Sequence, residues 1–597
     1  MKDFLKYVLA TVTGLILVGL ILAVLSVISL IGMASMQTDT VKVRDNSVMV
    51  LQLNGTIEER AEENPFASLF GNSIASSTMG LDEITSAIKA AKEDDKIKGI
   101  YIEAGALTGS TPATLEAIRN QLLDFKKSGK FIVAYGDNYS QGEYYLCSTA
   151  DSILINPEGM VNWVGMANQV LYYKDILDKL GVKMQIFKVG TYKSAVEPYI
   201  LNEISDANRE QLTVMDTEIW NKLCSDISKS RNISVDALNA AADSAAIFME
   251  AKELKKIKFI DKVIYSDEVP NVIAHMAKVD EPDDYNTISY TDVAKNANAK
   301  PKEGNKDKIA VYYACGEIVQ EQQQGLSLSQ EAMIVGKDVI RDLKELADDD
   351  DVKAVVLRVN SPGGSAYASE QIWHQVMNIK AKKPIVVSMG GYAASGGYYI
   401  SCAADWIVAE PTTLTGSIGI FGMFPEASEL LEQKIGVHSQ VVKTHKYGDF
   451  GNYFRPMTAD ESAVLQKYIN RGYELFTKRC ADGRHMPQDS IKVIGEGRVW
   501  TGVHAKQIGL VDQLGNLDDA IAVAKKKAKL DKYTVATYPE QASMLEQLME
   551  QVEGTSYADA KLSETFGEYY DMFRSVRQMT TEPGIKAAMP YKLNFNL

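Results

Sequence analysis

The chain is written twice over, and that repetition limits its fold more than any other feature. Sliding the 597-residue sequence against itself by about 254 residues sets Tyr144-Tyr145 on Tyr398-Tyr399 and Ala150-Asp151 on Ala404-Asp405. Ile153, Pro157 and Gly165 then fall on Ile407, Pro411 and Gly419. With small gaps the match runs from Asn54-Gly55-Thr56-Ile57 against Cys315-Gly316-Glu317-Ile318 to Ala251…Asp261 against Ala505…Asp512. Such a period is far longer than that of a solenoid. It describes a duplicated domain, each copy large enough to bury its own core.

Local patterns give the class of that domain. In the first copy, Val48 to Leu53, Lys98 to Glu103, Phe131 to Ala134 and Ser152 to Asn156 read as strands, with helices over Asp82 to Asp94 and Leu115 to Lys127. The second copy repeats this with strands at Ile309 to Ala314, Ala354 to Val359, Ile385 to Met389 and Trp406 to Ala409. Helices at Gly336 to Ala347, Ser369 to Ile379 and Gly396 to Ala404 separate them. Strands alternating with helices predict an α/β fold of βαβ units around parallel sheets. The expected organisation is an anchor over 1–40, a first half over 41–293, a linker over 294–308, a second half over 309–540 and a tail over 541–597. The linker reading rests on the polar run Ala294 to Lys306. The tail, rich in Met and acidic residues, reads as helical.

Charge and hydropathy narrow the partners. The net charge is −15 and no basic patch stands out, so nucleic acid is not an expected partner. Tyr7 to Thr38 carries no charge, longer than the roughly 20 apolar residues that cross a bilayer. Lys2 and Lys6 precede it, which predicts a cytoplasmic N-terminus and the bulk of the chain on the outer side. The rival is a cleaved signal peptide ending near Gly32-Met33-Ala34-Ser35, but the apolar stretch is long for one. The five cysteines are scattered, with no Cys-x-x-Cys, and read as buried free thiols. No metal-ligand cluster or phosphate-binding loop has the required spacing, so no cofactor is expected.

The copies diverge where chemistry is expected. Ser395, in Tyr392-Ala393-Ala394-Ser395-Gly396-Gly397, faces Gln141 in the alignment. Lys193, in Gly190-Thr191-Tyr192-Lys193-Ser194, faces Gly448. One copy keeps a serine and the other a lysine, which points to a single shared site. A serine needs a base before it attacks, and a lysine desolvated in a dry site can serve. His275, His374, His438, His445, His485 and His504 fall in no Ser-His-Asp pattern. The N–H after Ser395, at a helix start, suits an oxyanion, and the loop Asn360-Ser361-Pro362-Gly363-Gly364-Ser365 offers a second donor. Ser417, in Thr415-Gly416-Ser417-Ile418-Gly419, either orients the lysine or caps a turn.

Taken together, these four segments, with Val499-Trp500-Thr501-Gly502…Gly509-Leu510-Val511-Asp512, resemble the long, two-half bacterial signal peptide peptidases, a family of membrane-anchored Ser/Lys serine endopeptidases. The resemblance covers nearly the whole chain. It implies a crotonase/Clp-protease type of superhelix, with Ser395 as nucleophile and Lys193 as general base. It further implies Gly396 as one oxyanion donor, Gly363 or Gly364 as the second, and Ser417 as the residue that positions the lysine. A homotetramer on the outer face of the cytoplasmic membrane, acting on remnant signal peptides, is the assembly it implies. A crotonase-like acyl-CoA enzyme and an inactive membrane scaffold are the alternatives. The pair of Ser395 with Lys193 argues against both.

Overall fold

The computed structural model describes residues 6, 14, 18, 41–61, 78–299, 306–321, 332–540 and 585–589. The expected anchor over 1–40 therefore lies almost wholly outside the described residues. Among those described, no helix is long and apolar enough to cross a membrane.

Each copy builds the same parallel sheet. In the first, the strands Ser47–Glu58, Ile97–Gly109, Phe131–Tyr139, Ser152–Val161 and Lys262–Val263 lie side by side in that order. In the second, Lys308–Cys315, Val352–Ser361, Ile385–Ala394, Trp406–Ala409 and Gln513–Leu514 repeat that order. A further parallel strand closes the same edge of each sheet: Asn286–Ser289 against Ser47–Val50, and Thr534–Tyr538 against Lys308–Tyr312.

The sequence dictates these sheets through burial on both faces, which makes parallel strands near-continuous apolar runs. Along Val352–Ser361, Val355, Leu357 and Val359 enter the core beneath the helix Gly336–Asp348. The alternating Ala354 and Val356 enter the opposite core, beneath Ala520 and Ala524 of the helix Leu517–Ala528.

The aligned aspartates are sheet fasteners. Asp151 accepts from the Ile132 amide as Asp405 does from that of Ile385. Asp261 accepts from the Ile153 amide as Asp512 does from that of Ile407. Arg231 and Arg484 pair with Asp261 and Asp512.

A third, mixed sheet stitches the halves together. Lys183–Val189 of the first copy runs antiparallel to Ile420–Glu426 of the second, in register from Val189 with Ile420 to Lys183 with Glu426. Two cross-half contacts are buried as well: Arg358 grips Glu59 at 2.9 Å, and Thr412 Oγ1 donates to Glu116 at 2.9 Å. Neither strand of the stitching pair was anticipated in the sequence.

Two other expectations change. Residues 294–299 are not linker but the end of the helix Tyr290–Ala299, whose start Ser289 caps by accepting from the Asp292 amide. Val293 and Ala294 bury a narrow apolar stripe on the first half, and Asn296 donates to Val41 O. The tail, read as helical, contributes the strand Ile585–Ala588 to the third sheet; residues 541–584 and 590–597 lie outside the described residues.

Candidate active site

Ser395 joins the strand Ile385–Ala394 to the helix Gly396–Ser401 in a single residue, at φ 57° and ψ −112°. Side chains rarely adopt that backbone, and such strain persists only where the surroundings enforce it. Here the Ser395 amide donates to Gly416 O at 2.8 Å, and Ser395 O accepts from the Tyr399 amide at 2.8 Å. The glycines that follow are required by close approach. A Cβ on Gly396 would lie 2.7 Å from Ser369 Oγ, and one on Gly397 would lie 2.7 Å from Ser361 O.

Lys193 arrives from the other half on the loop after Lys183–Val189. A tight turn of the second half, Gly495-Glu496-Gly497-Arg498, clamps that loop. Tyr192 donates its amide to Glu496 O at 2.9 Å, and Arg498 stacks on the Tyr192 ring while pairing with Glu210. Gly497, at φ 78°, lies so close that a Cβ there would stand 2.7 Å from Lys193 Cβ.

Lys193 and Ser395 meet across the seam. Lys193 Nζ lies 2.8 Å from Ser395 Oγ, 3.0 Å from Ser417 Oγ and 3.1 Å from Ser417 O. All three residues are wholly buried. Burial holds the lysine pKa well below its ordinary value. A neutral amine has two N–H groups and one lone pair. Three contacts therefore fit it fully: two N–H to the Ser417 oxygens, and the lone pair toward the Ser395 hydroxyl. Ser417 itself is at φ 49° and donates its amide to Arg498 O at 2.7 Å, so the lysine's orienter is fixed by the same turn.

The second glycine loop also reaches this place. Gly363 is at φ 103° and Gly364 at φ 154°. A Cβ on Gly363 would stand 2.7 Å from Gly396 N. The Gly363 amide donates to Ser361 Oγ at 3.1 Å, and Gly364 is paired with Ile318 on one side and Ala587 on the other.

Every site residue expected from the sequence is thus gathered in one buried spot, and the histidines are elsewhere; His504, for instance, pairs with Glu218. The sequence reading did not single out Gly497, Glu496 and Arg498. Their signal is the Gly-x-Gly turn just before Val499-Trp500-Thr501-Gly502. It also gave no role to Gln141. That side chain fills the first half's equivalent turn, accepting from the Val164 and Gly165 amides and donating to Gly165 O. Gly448 lies on an exposed segment and takes no part in the site.

Comparison with known proteins gives the family and the fold. The model for peptidase family S49 matches residues 124–280 and again 378–531, and that for Clp protease matches 317–409. "Protease 4" of Salmonella typhi is 35% identical over 92% of this chain and 89% of its own length. "Protease 4" of Haemophilus influenzae is 34% identical over 84% of this chain and 82% of its own. "Serine protease SPPA, chloroplastic" of Arabidopsis thaliana is 30% identical over 82% of this chain and 70% of its own. The fold is thus a duplicated, Clp-protease-like α/β architecture carrying a serine-type protease. The chain belongs to peptidase family S49, in its long, two-half SppA form.

Proposed function

We propose that this chain is a Ser/Lys-dyad endopeptidase for hydrophobic peptides, such as signal peptides already cut from their precursors. The observation that carries the reading is the 2.8 Å contact between Lys193 Nζ and Ser395 Oγ in a fully buried seam. Neutral Lys193 takes the Ser395 hydroxyl proton as Oγ bonds to the substrate carbonyl carbon. The Gly396 amide, with that of Gly364 or Gly363, stabilises the resulting oxyanion. The ammonium then gives its proton to the departing amine, and the acyl-serine is hydrolysed by water activated in the same way. Ser417 holds the amine in line throughout.

The substrate class rests on the uncharged Tyr7 to Thr38 stretch, which as a membrane anchor sets the catalytic bulk beside the outer face of the cytoplasmic membrane. Assembly as a homotetramer is part of the same reading.

The test is turnover of a hydrophobic fluorogenic peptide by the detergent-solubilised chain. Ser395→Ala and Lys193→Ala each lower kcat by about 10⁴-fold or more while the fold is kept. Activity rises with pH as Lys193 loses its proton and stays high into mildly alkaline solution. A profile with its maximum below about pH 6 belongs to a carboxylate base and removes lysine from the mechanism.

A further inference from the structure

Among the described residues the strand Ile585–Ala588 has no counterpart in the first half, and its place is informative. It lies between Gly363–Ser365 and Ile420–Glu426, antiparallel to both. Gly363 faces Ala588, Gly364 faces Ala587 and Ser365 faces Lys586, while Phe421 and Gly422 face Lys586 and Ile585. The Met589 amide extends the ladder, donating to Pro362 O at 2.7 Å. Ala587 and Met589 are buried, and Lys586 Nζ lies 3.2 Å from Glu317 Oε1. One of the strand's edges is therefore the glycine loop beside Ser395.

The carbonyl of Ala587 is aimed at the site. A Cβ on Gly363 would lie 2.2 Å from Ala587 O, and one on Gly396 would lie 3.1 Å from it. That oxygen stands between the two glycine turns, next to the amide that follows Ser395. An extended peptide recognised through its main chain adds to a sheet edge in this way, and its attacked carbonyl has to point at this ground.

We propose that residues 585–589 occupy the substrate groove as a resident pseudo-substrate, with Ala587 in the position of the residue whose carbonyl Ser395 attacks. The inference rests on the Ser395–Lys193 reading of the site. The segment competes with incoming peptides from within its own chain, at an effective concentration on the order of millimolar. Its Ala587–Ala588 bond lies in register with the serine. A peptide with a small residue at that position fits the same cradle.

The experiment uses the full-length, detergent-solubilised protein, its Ala587→Trp variant and a variant lacking residues 585–597. It measures steady-state turnover of a fluorogenic peptide with alanine at the cleaved position and the rate of Ser395 labelling by a fluorophosphonate. Both variants are expected to lower KM and speed labelling by about tenfold, with kcat unchanged. A synthetic peptide spanning Pro583 to Lys592 should inhibit the deletion variant competitively, and the same peptide with tryptophan at the Ala587 position should not. Unchanged KM and labelling in Ala587→Trp, together with no inhibition by the peptide, overturn the proposal. Should the deletion variant fail to melt cooperatively, Ala587→Trp and the added peptide decide the matter. Turnover or labelling that survives Ser395→Ala overturns the reading of the site instead.

Discussion

The two halves share a sheet order, sheet-fastening aspartates and even a buried tyrosine bond, Tyr144 to Phe259 O in one and Tyr398 to Leu510 O in the other. They differ at the turn that leads into that tyrosine's helix. In the first half, Ser140 caps the helix in a relaxed, extended conformation, completed by a capping box with Glu143. Gln141 then plugs the space with its amide. In the second half the turn is forced one residue further, and Ser395 takes the strained backbone that aims its hydroxyl at Lys193. Two versions of one turn thus separate structural from catalytic use. The relaxed copy satisfies its own polar groups; the strained copy leaves a hydroxyl for a partner from elsewhere.

The comparison makes its largest claim about division of labour, since each half alone lacks one member. The 2.8 Å contact is made within one chain. Co-expressing Ser395→Ala with Lys193→Ala and purifying the mixed oligomers should therefore give no recovery, because each intrachain site still lacks a residue. Activity returning to a substantial fraction of wild type would mean that serine and lysine come from different chains.

Next in size is a contrast between two glycines. Gly497→Ala places a Cβ against Lys193 at a φ of 78° and should cost about 100-fold in kcat by shifting the amine from the serine. Gly165→Ala, at a φ of 89° but with nothing within 4 Å of the added Cβ, meets only backbone strain. It should lose about 1 kcal/mol of stability and keep its kcat. Equal kcat values for the two variants would show that the Gly497 turn does not position Lys193.

Smaller still is the effect of emptying the plug. Gln141→Ala leaves the Val164 and Gly165 amides without their acceptor. Thermal melting should show a loss of about 1 kcal/mol, with catalytic constants unchanged. A fall in kcat would mean that the first half's turn still takes part in the chemistry.

Much of this was legible in the sequence, for a physical reason. Parallel strands buried on both faces write themselves as apolar runs, so Ala354 to Val359 and Ile385 to Met389, the middles of Val352–Ser361 and Ile385–Ala394, were visible at once. The meeting of Ser395 with Lys193 was foreshadowed because duplication supplied an internal control: Ser395 faces Gln141 and Lys193 faces Gly448. What escaped depends on contacts between distant segments. Lys183–Val189 is mostly half-buried, and it pairs with Ile420–Glu426 across the seam between the halves. The strain at Ser395 is imposed by Gly416, and the clamp on Lys193 by a turn some 300 residues later. The polar run before the second half hid a helix because its apolar stripe, Tyr290, Val293 and Ala294, lies at its start and the rest of it is polar or small.

The smallest predicted effect concerns stability and sets the buried lysine against its own fold. Burial depresses the Lys193 pKa in the folded state, while the unfolded chain keeps the ordinary value of about 10.4. Between those two values the unfolded state holds the extra proton. Folding must expel it, and stability rises with pH across the window. Lys193→Met removes that term, so the variant's Tm should show a shallower rise between pH 7 and pH 10 than the wild type's. Whatever the variant gains or loses in packing and in contacts with Ser417 is independent of pH. The test is accordingly the change in the Tm difference with pH, not its absolute value. In Gln141→Ala, which removes no titratable group, the difference from wild type should stay flat over the same range. If the Lys193→Met difference is equally flat, the lysine is not held neutral by burial, and the base in this site has to be found elsewhere.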